Sequence, residues 1–355
     1  MSAPRRIASV DALRGLAVAA MLLVNNPGDW GSVYAPLQHA AWHGCTPTDL
    51  IFPFFLFIVG VSTALALGPR LQAGAAPGPL RAAAVQRGLR ILALGLVLHG
   101  LAWWWLAKPE FRLLGVLQRI GLCFIAVGLV ATLLRARGQW LLLGLLLAGY
   151  GALLQGSATL DKLGSLQQRL DTAVLGRLAY EWHPQTGVAF DPEGLLSTLG
   201  ALASTLLGLV CGEQLRRGRV PALVLTGLGA ALAGWLWAAW LPWNKALWTP
   251  SFVLWTGGLA ALALAAAHVW VDVRGHRPWG RAFGLNAIGA YAGAWLASVA
   301  LAASGWMPAL YAGVFGPVGA WWGAQAQSLA FALAFVAPWA LIVWALDRRG
   351  WYWKI

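Results

Sequence analysis

The stretch Leu37–Gly60, LQHAAWHGCTPTDLIFPFFLFIVG, changes character at Asp49. Ahead of Asp49 stand two histidines, a tryptophan and a cysteine; behind it the chain carries no charge until Arg70. An apolar run of about 20 residues is what a helix needs to cross a bilayer. This stretch therefore reads as a spanning helix with proton-transferring groups at its entrance, and the rest of the chain repeats the apolar half. Of 355 residues, 59% are hydrophobic and only 10% charged. A soluble domain carries about 25% charged residues, so this chain has too few to cover a water-facing surface. A β-barrel would show short alternating segments instead. The expectation is an all-α, polytopic membrane protein forming one domain over 1–355. About ten spans are expected, near 9–27, 49–67, 86–106, 114–134, 139–156, 194–214, 221–241, 250–271, 282–303 and 325–346.

The net charge of +13 is explained by where the basic residues fall. The segments between spans alternate, and 18 of the 25 Lys and Arg residues lie on one side, from Arg5, Arg6 and Arg14 to Arg348, Arg349 and Lys354. The other side holds 7: Lys108, Arg112, Arg119, Lys162, Arg169, Arg177 and Lys245. The positive-inside rule then puts both termini in the cytoplasm, with the long segments 28–48 and 157–193 outside. The charge reports topology and points to no nucleic acid.

Other classes fall away in turn. The first apolar run opens on Asp11 and Arg14 and is followed by NNPGDW, so it does not read as a cleavable signal. Cys45, Cys123 and Cys211 give neither a disulfide framework nor zinc spacing. His39 and His43 lie four apart in a loop without a third ligand, so no metal is expected. The tryptophans gather at span ends (Trp103, Trp104, Trp105, Trp243, Trp248, Trp321, Trp322) as an interfacial belt. A Gly/Pro/Ala linker is expected over 68–85, and a short re-entrant helix in 304–324.

Several polar residues carry two readings. Histidine is the side chain whose unperturbed pKa lies nearest neutrality, so His39 and His43 are candidates for proton exchange. Thr46, Pro47 and Asp49 suit N-cap, N1 and N3 of the second span, yet Asp49 can also orient an imidazole. Asn25 can cap a helix C-terminus or donate to an oxyanion. Asp11 and Arg14 are spaced to pair. Gln118 and Arg119 in the fourth span, and Asn286 in the ninth, are expensive in hydrocarbon. Asp191 and Glu193 precede the sixth span; Asn244 and Lys245 precede the eighth.

SVDALRG, LLVNNPG, HAAWHGCTPTDLIFPFFLFIVG, GVLQRIG, FDPEGLLSTLGALASTLLG, NKALWTPSF and WYWKI, in this order over nearly the whole chain, resemble the heparan-α-glucosaminide N-acetyltransferase family of membrane acetyltransferases, and look more like its bacterial branch. The resemblance implies transfer of acetyl from cytoplasmic acetyl-CoA to the amine of a glucosamine across the inner membrane. It implies that His39 is the active-site base, with Asn25 as oxyanion donor. It implies Arg6, Arg14, Arg87 and Lys354 around the CoA nucleotide, with Arg119 as a further match. Asp49 is kept with the catalytic group, and Asp191, Glu193, Asn244, Lys245 and Asn286 as acceptor contacts. The expected partners are an amino-sugar substrate and the lipid bilayer, with a homodimer as the open assembly. An acetyl-histidine route stays beside direct transfer. Two other functions stay open here: an amino-sugar transporter without chemistry, and an O-acyltransferase for another glycan.

Overall fold

The computed structural model describes residues 7–353; Arg6 and Lys354 lie outside the described residues. In chain order the helices are α1 (Ala8–Val24), α2 (Ile51–Gln72), α3 (Pro77–Trp105), α4 (Val116–Leu133), α5 (Ala136–Gln155), α6 (Leu166–Val174), α7 (Ser197–Arg216), α8 (Val220–Trp237), α9 (Pro250–Ala267), α10 (Arg281–Leu285), α11 (Ala287–Ser304), α12 (Met307–Trp322) and α13 (Ala324–Arg348). Between α6 and α7 a small antiparallel hairpin pairs β1 (Glu181–His183) with β2 (Val188–Phe190), Trp182 opposite Ala189.

Nine helices among the described residues are long and apolar enough to cross a membrane: α2, α3, α4, α5, α7, α8, α9, α11 and α13. The chain is an all-helical, multi-pass membrane protein. The tenth expected span is α1, whose 17 residues fall at the short end of what can cross. Segment 304–324 holds α12, a helix without a buried residue.

The linker expected over 68–85 is only residues 73–76, because α2 continues through Pro69 to Gln72 and α3 begins at Pro77. Proline is well placed at a helix start, where its missing N–H costs nothing. The longer α3 takes Arg81, Arg87 and Arg90 into its own first turns. The belt also needs a correction. Trp321 and Trp322 are exposed, but Trp248 is buried against Phe52 and Phe252, and Trp243 stacks on Trp255 with centroids 4.7 Å apart.

The centre of the bundle is α2 against α7, the two most enclosed spans. Their approach depends on two glycines. A Cβ on Gly208 would lie 1.9 Å from the Phe57 carbonyl oxygen, and one on Gly60 1.9 Å from that of Thr205. Small residues let membrane helices pack backbone to backbone. Gly208→Ala must push the helices apart, and the expected loss is about 1–3 kcal/mol, the ordinary range for overpacking. Thermal unfolding in detergent measures it; an unchanged midpoint would mean the helices are not in this contact. Outer helices show lipid their apolar sides, as with Leu225, Leu228 and Leu232 on α8 and Leu333 and Leu341 on α13.

Contacts between connections define two ends of the bundle. At one end Arg281 pairs with Asp347, Arg216 bonds Gln72, and Asp272 accepts the backbone N–H of Ala8 at 2.9 Å. Asp272 thereby supplies the cap that α1 lacks at Ile7, satisfying one orphan donor of the first turn. The other end gathers segments 28–48, 157–193 and 242–249.

Candidate active site

Segment 28–48 is irregular but firmly held. Asp29 donates its backbone N–H to Ser328 Oγ of α13 at 3.1 Å. Gly44 donates to the Trp243 carbonyl at 2.7 Å. The Trp42 indole donates to the Leu160 carbonyl at 3.0 Å, and its ring lies 5.7 Å from that of Phe190. Loop backbone that is neither helix nor strand needs such partners for its polar groups.

Asp49 is where this loop meets α2. A 3₁₀ turn over Pro47–Leu50 leads into the helix, with Thr46 at its N-cap, Pro47 at its first position and Asp49 at its third, closing a capping box. One carboxylate oxygen, Oδ2, accepts the backbone N–H groups of Thr46 and Ala40, each at 3.0 Å. The other, Oδ1, lies 2.7 Å from His39 Nδ1. The two readings of Asp49 are therefore compatible: one oxygen caps the helix while the other faces the imidazole. A carboxylate only accepts, so Nδ1 carries the ring proton and the lone pair sits on Nε2. Asp49 is 1% exposed, whereas the His39 side chain is 47% exposed. A rigid, buried carboxylate thus orients a ring that incoming molecules can reach.

Lys245 completes the cluster. Its Nζ lies 3.1 Å from His39 Nδ1, 3.4 Å from Nε2 and 3.6 Å from Asp49 Oδ1. It stands on the α8–α9 connection, where the fold is fixed by Asn244. Asn244 Oδ1 accepts the Leu247 N–H at 2.8 Å, and Nδ2 donates to the Trp42 carbonyl at 2.9 Å. Asn244 therefore shapes the turn and ties it to segment 28–48. Enclosure pulls the Lys245 ammonium pKa below its ordinary value, with Asp49 and Glu193 opposing the shift. Desolvation disfavours the charged form of an amine.

Asp191 and Glu193 form a second cluster around Arg112, which precedes α4. Arg112 donates to both Asp191 oxygens, at 3.1 and 2.7 Å, and to Glu193 at 2.5 Å. Its guanidinium covers the Tyr180 ring at 4.4 Å. Burial works against its charge, but Glu193 and Asp191 outweigh burial and hold its pKa above the ordinary value.

The remaining sequence candidates are dispersed. Asn25 ends α1 with its side chain exposed; the capping contact comes from Asn26, whose amide donates to the Leu22 carbonyl at 2.7 Å. Arg14 pairs with Asp11 and donates to the Gly284 carbonyl at 2.7 Å and to Ser62 at 3.3 Å, joining α1 to α10 and α2. Arg87 is exposed on α3, its guanidinium 5.1 Å from the Phe124 ring. Arg119 is 1% exposed, held by Ser197 Oγ at 2.5 Å and the Gly194 carbonyl at 3.2 Å, over the Trp248 ring. Those partners put Arg119 at the His39 end of the bundle, away from Arg14. Asn286 goes the other way. It is 1% exposed and its Oδ1 accepts the Trp353 N–H at 3.1 Å, beside the start of α1. The structure does not bring it to His39.

Sequence reasoning counted Arg112 only as a charge and gave Trp42 and Tyr180 no role. Arg112 lies 79 residues from Asp191, and no local pattern links them. FDPEG does flag the acids, and two adjacent buried carboxylates require a cation somewhere.

Residues 6–175 match the model of the family described as heparan-alpha-glucosaminide N-acetyltransferase, catalytic. The chain is 27% identical over 337 residues to the heparan-alpha-glucosaminide N-acetyltransferase of Homo sapiens, a match covering 77% of this chain and 50% of that protein. The Mus musculus protein of the same name is 26% identical over 343 residues, with the same coverage. The chain spans about half the length of the curated relatives it matches. The stretch that is similar to this family model includes Asn25, His39 and Asp49.

Proposed function

We propose that this chain transfers acetyl from acetyl-CoA to the amine of a glucosamine-type sugar. The observation that carries this reading is the half-exposed His39 imidazole held at 2.7 Å by buried Asp49. A transporter needs no oriented base; acyl transfer to an amine does. The sugar amine arrives protonated and attacks only when neutral. His39 Nε2 takes the proton, and Asp49 stabilises the imidazolium that forms. The amine adds to the thioester carbonyl, and the family resemblance assigns the resulting oxyanion to the amide of Asn25, exposed at the end of α1. The second amine proton is released to water, and CoA thiolate leaves and recovers the first from His39, so that an amide and free CoA thiol remain.

Sidedness is part of the proposal. Acetyl-CoA enters from the cytoplasm at the arginine-rich end, where exposed Arg87 suits a phosphate contact. His39 faces the opposite compartment, the periplasm of a bacterial inner membrane. At about 1.5 Å per residue, the 17 residues of α1 span about 25 Å, and an extended pantetheine arm of about 20 Å carries the acetyl through much of that length. The 18:7 basic asymmetry supports this orientation. The test is purified protein with acetyl-CoA and a panel of amino and hydroxyl sugars, read by mass spectrometry. An acetylated amino sugar with matching free CoA is expected. Acetylation of hydroxyl sugars alone would make the protein an O-acyltransferase, and uptake into vesicles without CoA release would make it a transporter.

A further inference from the structure

The Lys245 amine stands against the candidate base itself. In a site built to acetylate an amine, a protein amine 3.1 and 3.4 Å from the two His39 nitrogens occupies the surroundings an acceptor amine needs. We infer that Lys245 is a self-acetylation site: without a sugar acceptor, the protein transfers acetyl from its thioester donor to Lys245 Nζ. This inference rests on the proposed acetyltransferase activity and adds a covalent modification to it.

The chemistry balances without a further reagent. Lys245 loses one proton from its ammonium to His39 Nε2, and the neutral amine adds to the thioester carbonyl. The C–S bond breaks, the thiolate is reprotonated, and an amide and free CoA thiol remain, with a second amine proton released to water. Three features favour the reaction. Enclosure lowers the proton affinity of Lys245, with Asp49 and Glu193 partly restoring it, so more of the amine is neutral. The α8–α9 turn, fixed by Asn244, holds the amine in place, and held reactants gain through proximity. The side chain is 25% exposed, so a thioester arriving at His39 also meets Lys245. The product amide has no charge to place beside Asp49, and its acetyl group fills the space next to the ring. Self-acetylation should therefore stop turnover, and a bound acceptor should prevent it.

The chain contains its own controls. Lys108 is exposed and Lys162 is paired with Glu181 at the surface, so both report uncatalysed acetylation. Intact protein is incubated with acetyl-CoA, with and without the acceptor it turns over, and the acetyl on each lysine is measured by peptide mass spectrometry over time. Lys245 should label faster than Lys108 and Lys162, turnover should fall in step, and saturating acceptor should suppress both. His39→Ala should slow labelling of Lys245 by about 100-fold, the general-base contribution, with Lys108 unchanged. Lys245→Arg keeps a cation but should show no time-dependent loss of its residual activity. If acceptor sugar is acetylated while Lys245 stays unlabelled, or if labelling is equal in His39→Ala, the self-acetylation inference alone fails. If neither sugar nor Lys245 is acetylated, the acetyltransferase reading fails with it.

Discussion

His39→Ala should lower turnover by about 10²–10⁴-fold, the usual contribution of a positioned general base, while protein yield and thermal midpoint stay near wild type. The side chain is half exposed and its one carboxylate partner keeps two backbone N–H bonds when the ring is removed, so little folding energy is at stake. His43→Ala is the matched control. His43 Nδ1 lies 3.3 Å from Asn244 Nδ2, and the carboxylate acting on it, Asp161, does so through space, so the same truncation should leave most of the rate. Asp49→Asn is the sharper test of how the pair works. An asparagine oxygen in the place of Oδ2 can still accept the backbone N–H groups of Ala40 and Thr46, but its amide nitrogen facing Nδ1 would force the ring proton to Nε2 and remove the base's lone pair. A loss approaching that of His39→Ala, with acetyl-CoA affinity unchanged, is expected. Wild-type turnover in His39→Ala would move the base elsewhere and leave the His39–Asp49 contact as packing.

The fold class was legible because the bilayer imposes it. Twenty uncharged residues after Asp49 admit one structure in hydrocarbon, since only a helix satisfies every backbone group within its own segment. Span boundaries were less legible: nothing in GPRLQAGAAPGPLR says whether proline ends one helix or starts the next, and here Pro77 starts α3 early. The hairpin of β1 and β2 is too short for a period to show. His39 and Asp49 could be paired on paper because ten residues and one helix cap separate them. Lys245, 206 residues from His39, could be suspected only from its neighbours Asn244 and Trp248. Buried charges are the residues whose partners sequence conceals most, because their attraction acts through space while the sequence records order along the chain. Arg112 is the case with the largest consequence.

Arg112→Ala should destabilise the protein by about 3–5 kcal/mol, the cost of removing one partner from a buried ion pair. Asp191 is fully buried and the Glu193 side chain only 13% exposed, and Arg112 is the cation both carboxylates face. Asp191 would keep backbone N–H bonds from Tyr180 at 2.8 Å and Glu193 at 2.9 Å, which supply dipoles but no countercharge. Arg112 also joins the α3–α4 connection to the start of α7 and covers Tyr180, so its loss should loosen the lobe formed by 157–193 before the spans unfold. Proteolysis there ahead of the global transition would show this order. Adding Asp191→Asn to Arg112→Ala should return part of the loss by removing one stranded charge. This separates two roles for the acids that the sequence left joined. Asp191, sealed against Arg112, should act on stability: Asp191→Asn should lower the thermal midpoint and leave KM for the acceptor unchanged. Glu193 keeps an exposed edge, so if it touches the acceptor amine, Glu193→Gln should raise that KM with a smaller effect on unfolding. If Arg112→Ala unfolds at the wild-type temperature while KM rises, the guanidinium binds a ligand there, and the Asp191–Arg112–Glu193 cluster is part of the acceptor site after all.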